Sequence, residues 1–286
     1  MKVSRRSFLK TGLASTALLA TGNLNIVEAG NPAVSETKKE KKTNPFELSC
    51  AGYTFVNFDI DTTLKTLQKC DIHNLCIKDF HLPLNATDDQ IAAFHNKLAS
   101  FGVTGYGVGP IYMNNKEEVD NAFAYAKRVG VNVMVGVPSY EILPYVSDKM
   151  KEYPDLYYAI HLHGPDIDRF QTATVIWDKV KDLDPRIGMC LDIGHDFRAG
   201  CDPIADLEKY HSRIFDMHIK DESEPTKQGH CMEIGRGKID FPALIRMLRK
   251  VNYTGKLSLE YEKDMKDPFL GIAESYGYLK ALCDNA

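Results

Sequence analysis

The chain has 286 residues, of which 44% are hydrophobic, 26% charged and 10% aromatic. That balance excludes disordered, collagen-like and small disulfide-framework classes, and the length suits two average domains or one barrel of about 250 residues with a tail. A formal net charge of -4, from 35 basic and 39 acidic residues, asks for neither a nucleic-acid nor an anionic-membrane partner.

In chain order, residues 1–29 read as an export signal. Lys2, Arg5, Arg6 and Lys10 precede an apolar, small-residue run from Thr11 to about Leu24, and Val27-Glu28-Ala29 offers a cleavage site. The adjacent Arg5-Arg6 resembles a bacterial twin-arginine signal, so the expected location is the periplasm, reached by a protein already folded in the cytoplasm. An uncleaved amphipathic or anchoring helix is the competing reading, but the run is too short to span a bilayer comfortably. No stable membrane association is therefore expected after cleavage. The signal carries four basic and one acidic residue, which leaves the mature chain at about -7. Residues 30–45, with Lys38–Lys42 at their centre, read as a polar tether, and 46–286 as one catalytic domain.

Within that domain, β-rich runs recur at Glu47–Ala51, Asn74–Lys78, Val103–Gly107, Asn132–Val137, Tyr157–Leu162, Ile187–Asp192, Arg213–Ile219 and Lys256–Tyr261. Helical spacing of apolar residues occupies the intervals, as in Thr62–Lys69, Asp88–Phe101, Lys116–Val129, Phe170–Lys181 and Phe241–Val251. Asp240 before Phe241-Pro242 reads as a helix start, and Gly102, Gly130 and Gly255 as helix ends. Eight βα units predict an α/β fold, a (β/α)8 TIM barrel. A doubly wound sheet would want a glycine-rich first turn, and Ala51-Gly-Tyr-Thr-Phe55 has one glycine. The long interval before the last strand, residues 221–239, is a candidate lid.

The seven cysteines (50, 70, 76, 190, 201, 231 and 283) form no CxxC pair, which disfavours both a zinc–thiolate site and a disulfide framework. The polar signal lies elsewhere. In a barrel, charged and imidazole side chains at the carboxyl ends of strands face the site. Those positions hold Lys78 and His81, His161 and His163, Asp192 and His195, then His218, Lys220 and Asp221, and finally Glu260 and Glu262. His73, His95, His211 and His230 fall on helices or loops and read as surface or packing residues. Singly, each strand-end residue has a bland explanation. His161, Asp192, His218 and Glu260 come from four consecutive strands, however, and a mixed imidazole–carboxylate set suits one divalent ion: Mn2+, Co2+, Zn2+, Fe2+ or Mg2+.

Met189-Cys-Leu-Asp-Ile-Gly-His195, Asp216-Met-His-Ile-Lys-Asp221, Gly255-Lys-Leu-Ser-Leu-Glu260 and Gly235-Arg-Gly-Lys-Ile-Asp-Phe241 together resemble motifs of the xylose isomerase-like barrel superfamily of sugar isomerases, epimerases and dehydratases. The resemblance covers the mature chain. It implies metal ligation by Asp192, His218 and Glu260, and substrate contact by His195 and Arg236. One position departs from the pattern. Where the family usually has a strand 5 glutamate, Ala159-Ile-His-Leu-His-Gly-Pro165 puts His161. Two glutamates flanking a carbon suit proton exchange on both faces; one carboxylate opposite an imidazole suits one-sided work.

The resulting expectation is an enzyme that enolises a non-phosphorylated keto-sugar or 3-keto-glycoside and then eliminates or hydrates beside the ketone. Glu260 serves as ligand and base, His163, His195 or Lys220 as acid, and Lys78, His81 and His195 bind hydroxyls. A sugar isomerase or epimerase is the alternative, and a non-catalytic sugar-binding barrel the remoter one. An endonuclease IV-like enzyme would need further metal histidines on strands 2 and 3; Val103–Pro110 has none, and the negative mature chain opposes DNA. The expected partner is a small carbohydrate, no nucleic acid is expected, and a homo-oligomer is left open.

Overall fold

A computed structural model describes residues 44–285. The export signal, and all but the last two residues of the tether, lie outside them. Eight parallel strands close a barrel in the order β1-β10-β7-β6-β5-β4-β3-β2. The members are β1 (Glu47–Ala51), β2 (Asn74–Ile77), β3 (Thr104–Met113), β4 (Val133–Pro138), β5 (Tyr157–His161), β6 (Ile187–Asp192), β7 (Ile214–Ile219) and β10 (Lys256–Leu259). A short antiparallel pair, β8 (Asp221–Glu222) with β9 (Cys231–Met232), lies between β7 and β10. Every residue of β6 is buried, as a strand covered on both faces requires.

The helices start where local chemistry tells them to. Asp59 caps α1 (Ile60–Lys69), Thr87 and Gln90 form a reciprocal capping box on α2 (Asp88–Ser100), and Asn115 caps α3 (Lys116–Val129). After α4 (Leu143–Lys149), Thr172 caps α5 (Ala173–Val180), Asp192 caps α6 (Ile193–Arg198) and Asp202 caps α7 (Pro203–Tyr210). Asp240 caps α8 (Phe241–Lys250) with Pro242 in its first turn, and α9 (Phe269–Asn285) ends the described chain. Gly130 adopts the left-handed conformation that ends α3, but α8 ends differently from expectation. Val251 is its C-cap and Asn252, not Gly255, takes the positive φ of 52°.

The second difference is at β3, which runs to Met113 rather than stopping near Gly107. The strand continues past Gly107 through an irregular register between Val108 and Ile111. The main apolar layer lies between strands and helices, and a smaller cluster of Cys76, Tyr106, Val135, Ala159 and Cys190 packs together separately from it. All seven cysteines are free thiols. Among the described residues, no helix is long and apolar enough to cross a membrane.

Candidate metal centre and active-site cleft

Side chains on a barrel strand alternate between interior and helix layer, so residues two apart share a face. On four neighbouring strands that rule stacks two layers inside the barrel. The lower one is Ala159, Cys190, Asp216 and Ser258; the upper one is His161, Asp192, His218 and Glu260. In the lower layer the Tyr106 hydroxyl lies 3.0 Å and 3.1 Å from the two Asp216 carboxylate oxygens and also bonds Ser258. This closed network leaves the upper layer's donors to point at one another.

They converge closely. His161 Nε2 lies 2.9 Å from His218 Nδ1 and 3.7 Å from Asp192 Oδ2. His218 Nδ1 lies 3.2 Å from Glu260 Oε2 and 3.9 Å from Asp192 Oδ2. Bonds of about 2.1 Å to a tetrahedral ion would set its ligand atoms about 3.4 Å apart, so these spacings bracket what a divalent cation needs. The Asp192 oxygens divide the labour. Oδ1 accepts from the His195 amide at 2.8 Å and caps α6, whereas Oδ2 faces the two imidazoles with the Lys220 ammonium 3.1 Å away. Two carboxylates and two imidazoles converging at these spacings make a donor set suited to a divalent cation. Burial, with His163 and His218 beside it, holds His161 well below its ordinary pKa, in the neutral form that ligates metals. The four residues fit a divalent ion.

Lys220, just past the carboxyl end of β7, lies beside this cluster. Its Nζ is 2.7 Å from Glu260, 2.9 Å from Glu262 and 3.1 Å from Asp192, with no side-chain exposure. Burial opposes its charge, but Asp192, Glu260 and Glu262 outweigh that and keep it an ammonium. Gly194 makes the room, since a Cβ there would lie 2.1 Å from Lys220 Cγ.

Above the donors opens a cleft of about 270 Å3, lined by Lys78, His163, Asp166, His195, Glu260 and Glu262 together with Tyr53, Pro110, Tyr112 and His161. It is at the small end of the range for ligand sites, about 300–1,000 Å3. His195 Nδ1 is 3.2 Å from Asp166, which Arg198 holds from the other side at 2.8 Å and 3.1 Å. The contact with His195, reinforced by Arg198, keeps Asp166 well below the usual carboxylate range. Gly164 makes this possible: its φ is +57°, and a Cβ there would lie 2.3 Å from the His195 carbonyl oxygen. His163 Nε2 pairs with the Tyr112 hydroxyl at 3.0 Å, and burial with the nearby His195 lowers its pKa to about 4.

Of the residues singled out from sequence, Lys78 lines the cleft, paired with Asp79. His81 and Arg236 do not reach it. His81 Nε2 faces the Phe58 carbonyl at 2.9 Å, beside a separate groove against α2, because the chain turns back after Lys78. Arg236 sits on the surface and pairs with Glu274, its outer guanidinium nitrogen donating at 3.0 Å. Asp221 is turned away as well, accepting from the amides of Gly235, Gly237 and Ile239 and so tying down the 221–239 loop. Asp166, Tyr53 and Tyr112 were not anticipated as site residues. Asp166 lies in a loop with no periodicity to read, and the two tyrosines resemble ordinary surface aromatics until the barrel closes. The four other histidines bond locally: His73 to the Gly102 carbonyl, His95 to that of Val129, His211 to that of Glu208 and His230 to Ser223.

Residues 51–282 match the family described as xylose isomerase-like TIM barrel, and the chain belongs to that family. Residues 2–22 match the twin-arginine translocation pathway signal sequence, so the chain carries an export signal of that pathway. An inosose dehydratase of Clostridium tetani (strain Massachusetts / E88) is 35% identical over 104 residues, 30% of this chain and 35% of that protein. The putative L-ribulose-5-phosphate 3-epimerase SgbU of Escherichia coli (strain K12) is 29% identical over 115 residues, 38% of this chain and 40% of that one. The chain thus aligns with less than half the length of these curated relatives. A crystal structure of the IOLI protein with a binding zinc atom superposes with TM-score 0.67 at 18% identity, over 83% of this chain and 96% of that one, a likeness of fold.

Proposed function

We propose that this chain is a periplasmic, divalent-metal-dependent carbohydrate enzyme that enolises a non-phosphorylated keto-sugar or 3-keto-glycoside and acts chiefly as a lyase or hydratase. One observation carries the reading. Of the two carboxylates in the donor cluster, only Glu260 also lines the cleft, and His161 stands on β5 where a second glutamate would make the site symmetric. The resemblance to an inosose dehydratase points the same way. In this account residues 1–29 are a cleaved signal, 30–45 a tether and 46–286 the catalytic barrel.

His161, Asp192, His218 and Glu260 would hold the ion, one of Mn2+, Co2+, Zn2+, Fe2+ or Mg2+. Bound there, it would supply Lewis acidity toward a ketone and its neighbouring hydroxyl. The protein's own groups do the rest. Glu260 accepts the proton next to the ketone, with the Lys220 ammonium 2.7 Å away stabilising its charge. His195, oriented by Asp166, protonates the departing oxygen or, in the reverse direction, activates water. His163, held by Tyr112, is the second proton carrier, and Lys78 binds a hydroxyl. Lys78, Lys220 and Arg198 are each already matched to carboxylates, which argues against a phosphorylated substrate. Glu262 also lines a second, larger groove with Asn57, Lys263 and Lys266, which could take an aglycone.

Incubating the metal-loaded protein with a 3-keto-glucoside in deuterated water tests the reaction. Release of the aglycone is the expected result. Deuterium in an intact skeleton would support the second reading, an isomerase or epimerase, which the three imidazoles sharing the cleft with Glu260 also allow. Neither release nor exchange would overturn both. A sugar-binding barrel is separated by Glu260→Gln: a binding protein keeps most of its affinity, whereas an enzyme loses turnover.

A further inference from the structure

A second group of donors lies at the far end of α6, on the connection to α7. Asp196, Cys201 and Asp206 each offer a ligand atom, and these atoms lie within 4.8 Å of one another. The Asp196 side chain is completely buried, at 0% exposure, and neither of its carboxylate oxygens makes a hydrogen bond of normal geometry; its nearest polar neighbours are the Ala173 amide, Cys201 and Asp206. A buried carboxylate so poorly bonded is costly. Neither Asp196 nor Asp206 has an ion-pair partner among the described residues, and Asp206 faces Asp196, adding repulsion. Cys201 and Asp206 are only half-buried, so the group opens to solvent on one side.

We propose that Asp196, Cys201 and Asp206 form a second divalent-cation site, of zinc class, that staples α6 to α7. The donor set selects the ion. One thiolate with two carboxylates suits borderline Zn2+, or Cd2+ as its soft substitute, and is too soft for Mg2+ or Ca2+ and too oxygen-rich for Cu+. Three protein ligands with one side open leave a coordination position for water. Binding displaces the Cys201 thiol proton, and any proton held on the carboxyl pair, to solvent. The spacing was silent because a mixed site with a single cysteine has no CxxC signature. Its position ties it to the active site, because α6 starts at Asp192 and carries His195, so fixing the end of α6 fixes both.

Chelator-stripped full-length protein titrated with Cd2+ tests this through the ultraviolet cadmium–thiolate charge-transfer absorption and equilibrium dialysis. The expected result is that absorption in the wild type, its loss in Cys201→Ser, and one bound ion fewer in both Cys201→Ser and Asp196→Asn. Absent wild-type absorption, absorption persisting in Cys201→Ser, or unchanged stoichiometry in both variants would overturn the proposal. Cys201 is half-exposed, so its serine variant keeps the test decisive should the buried Asp196→Asn chain not fold.

Discussion

At the scale of single residues, the site is organised by which carboxylates are shared and with whom. Glu260 is held against His218 and Lys220, which keep it well below the ordinary carboxylate range despite burial. Glu260→Gln removes a ligand and a base together, so turnover should fall by about 10²–10⁴-fold, with loss of the ion bound at that cluster. Asp166→Asn leaves His195 in place without its counter-charge; kcat should drop by about 10²-fold while sugar affinity changes little, as steady-state kinetics and calorimetry would show. Arg236→Ala is the opposite case. Its pair with Glu274 is exposed, so activity should be unchanged and the denaturant unfolding midpoint should not move measurably. A marked loss of turnover there would return Arg236 to the substrate site.

At the scale of elements, the donors were legible because strand geometry is rigid. Given eight strands and period-two alternation, His161, Asp192, His218 and Glu260 had to share a layer once β5, β6, β7 and β10 became neighbours. What escaped the sequence depended on loops. The turn after β5 brings Asp166 to His195 through the positive φ of Gly164, and β3 carries Tyr112 beyond the strand end expected at Gly107. The 221–239 segment read as a lid, yet three amides bound by Asp221 hold it against the barrel. Lys220 sat at the correct strand end, but its burial among three carboxylates follows from packing against Gly194 that no spacing announces. Gly164→Ala should therefore act across elements. Its strained φ costs about 1–3 kcal/mol, seen as a lower Tm, and its clash with the His195 backbone should lower kcat beyond that loss.

At the scale of the whole molecule, fold, charge and address agree. A barrel with paired cations and a net charge of -4, about -7 once residues 1–29 are set aside, suits a small neutral substrate, and the twin-arginine signal is that of an export pathway. Replacing both Arg5 and Arg6 by lysine should leave the unprocessed precursor in the cytoplasm, visible by cell fractionation; normal periplasmic recovery would mean that another route exports it. The central claim is that the four strand-end donors hold an ion on which proton removal from a keto-sugar depends. The direct measurement is solvent-deuterium exchange or elimination on a 3-keto-glucoside by stripped, reconstituted and Glu260→Gln protein. Reaction only in the reconstituted wild type is the predicted result, and undiminished reaction in the stripped protein or in Glu260→Gln would contradict it.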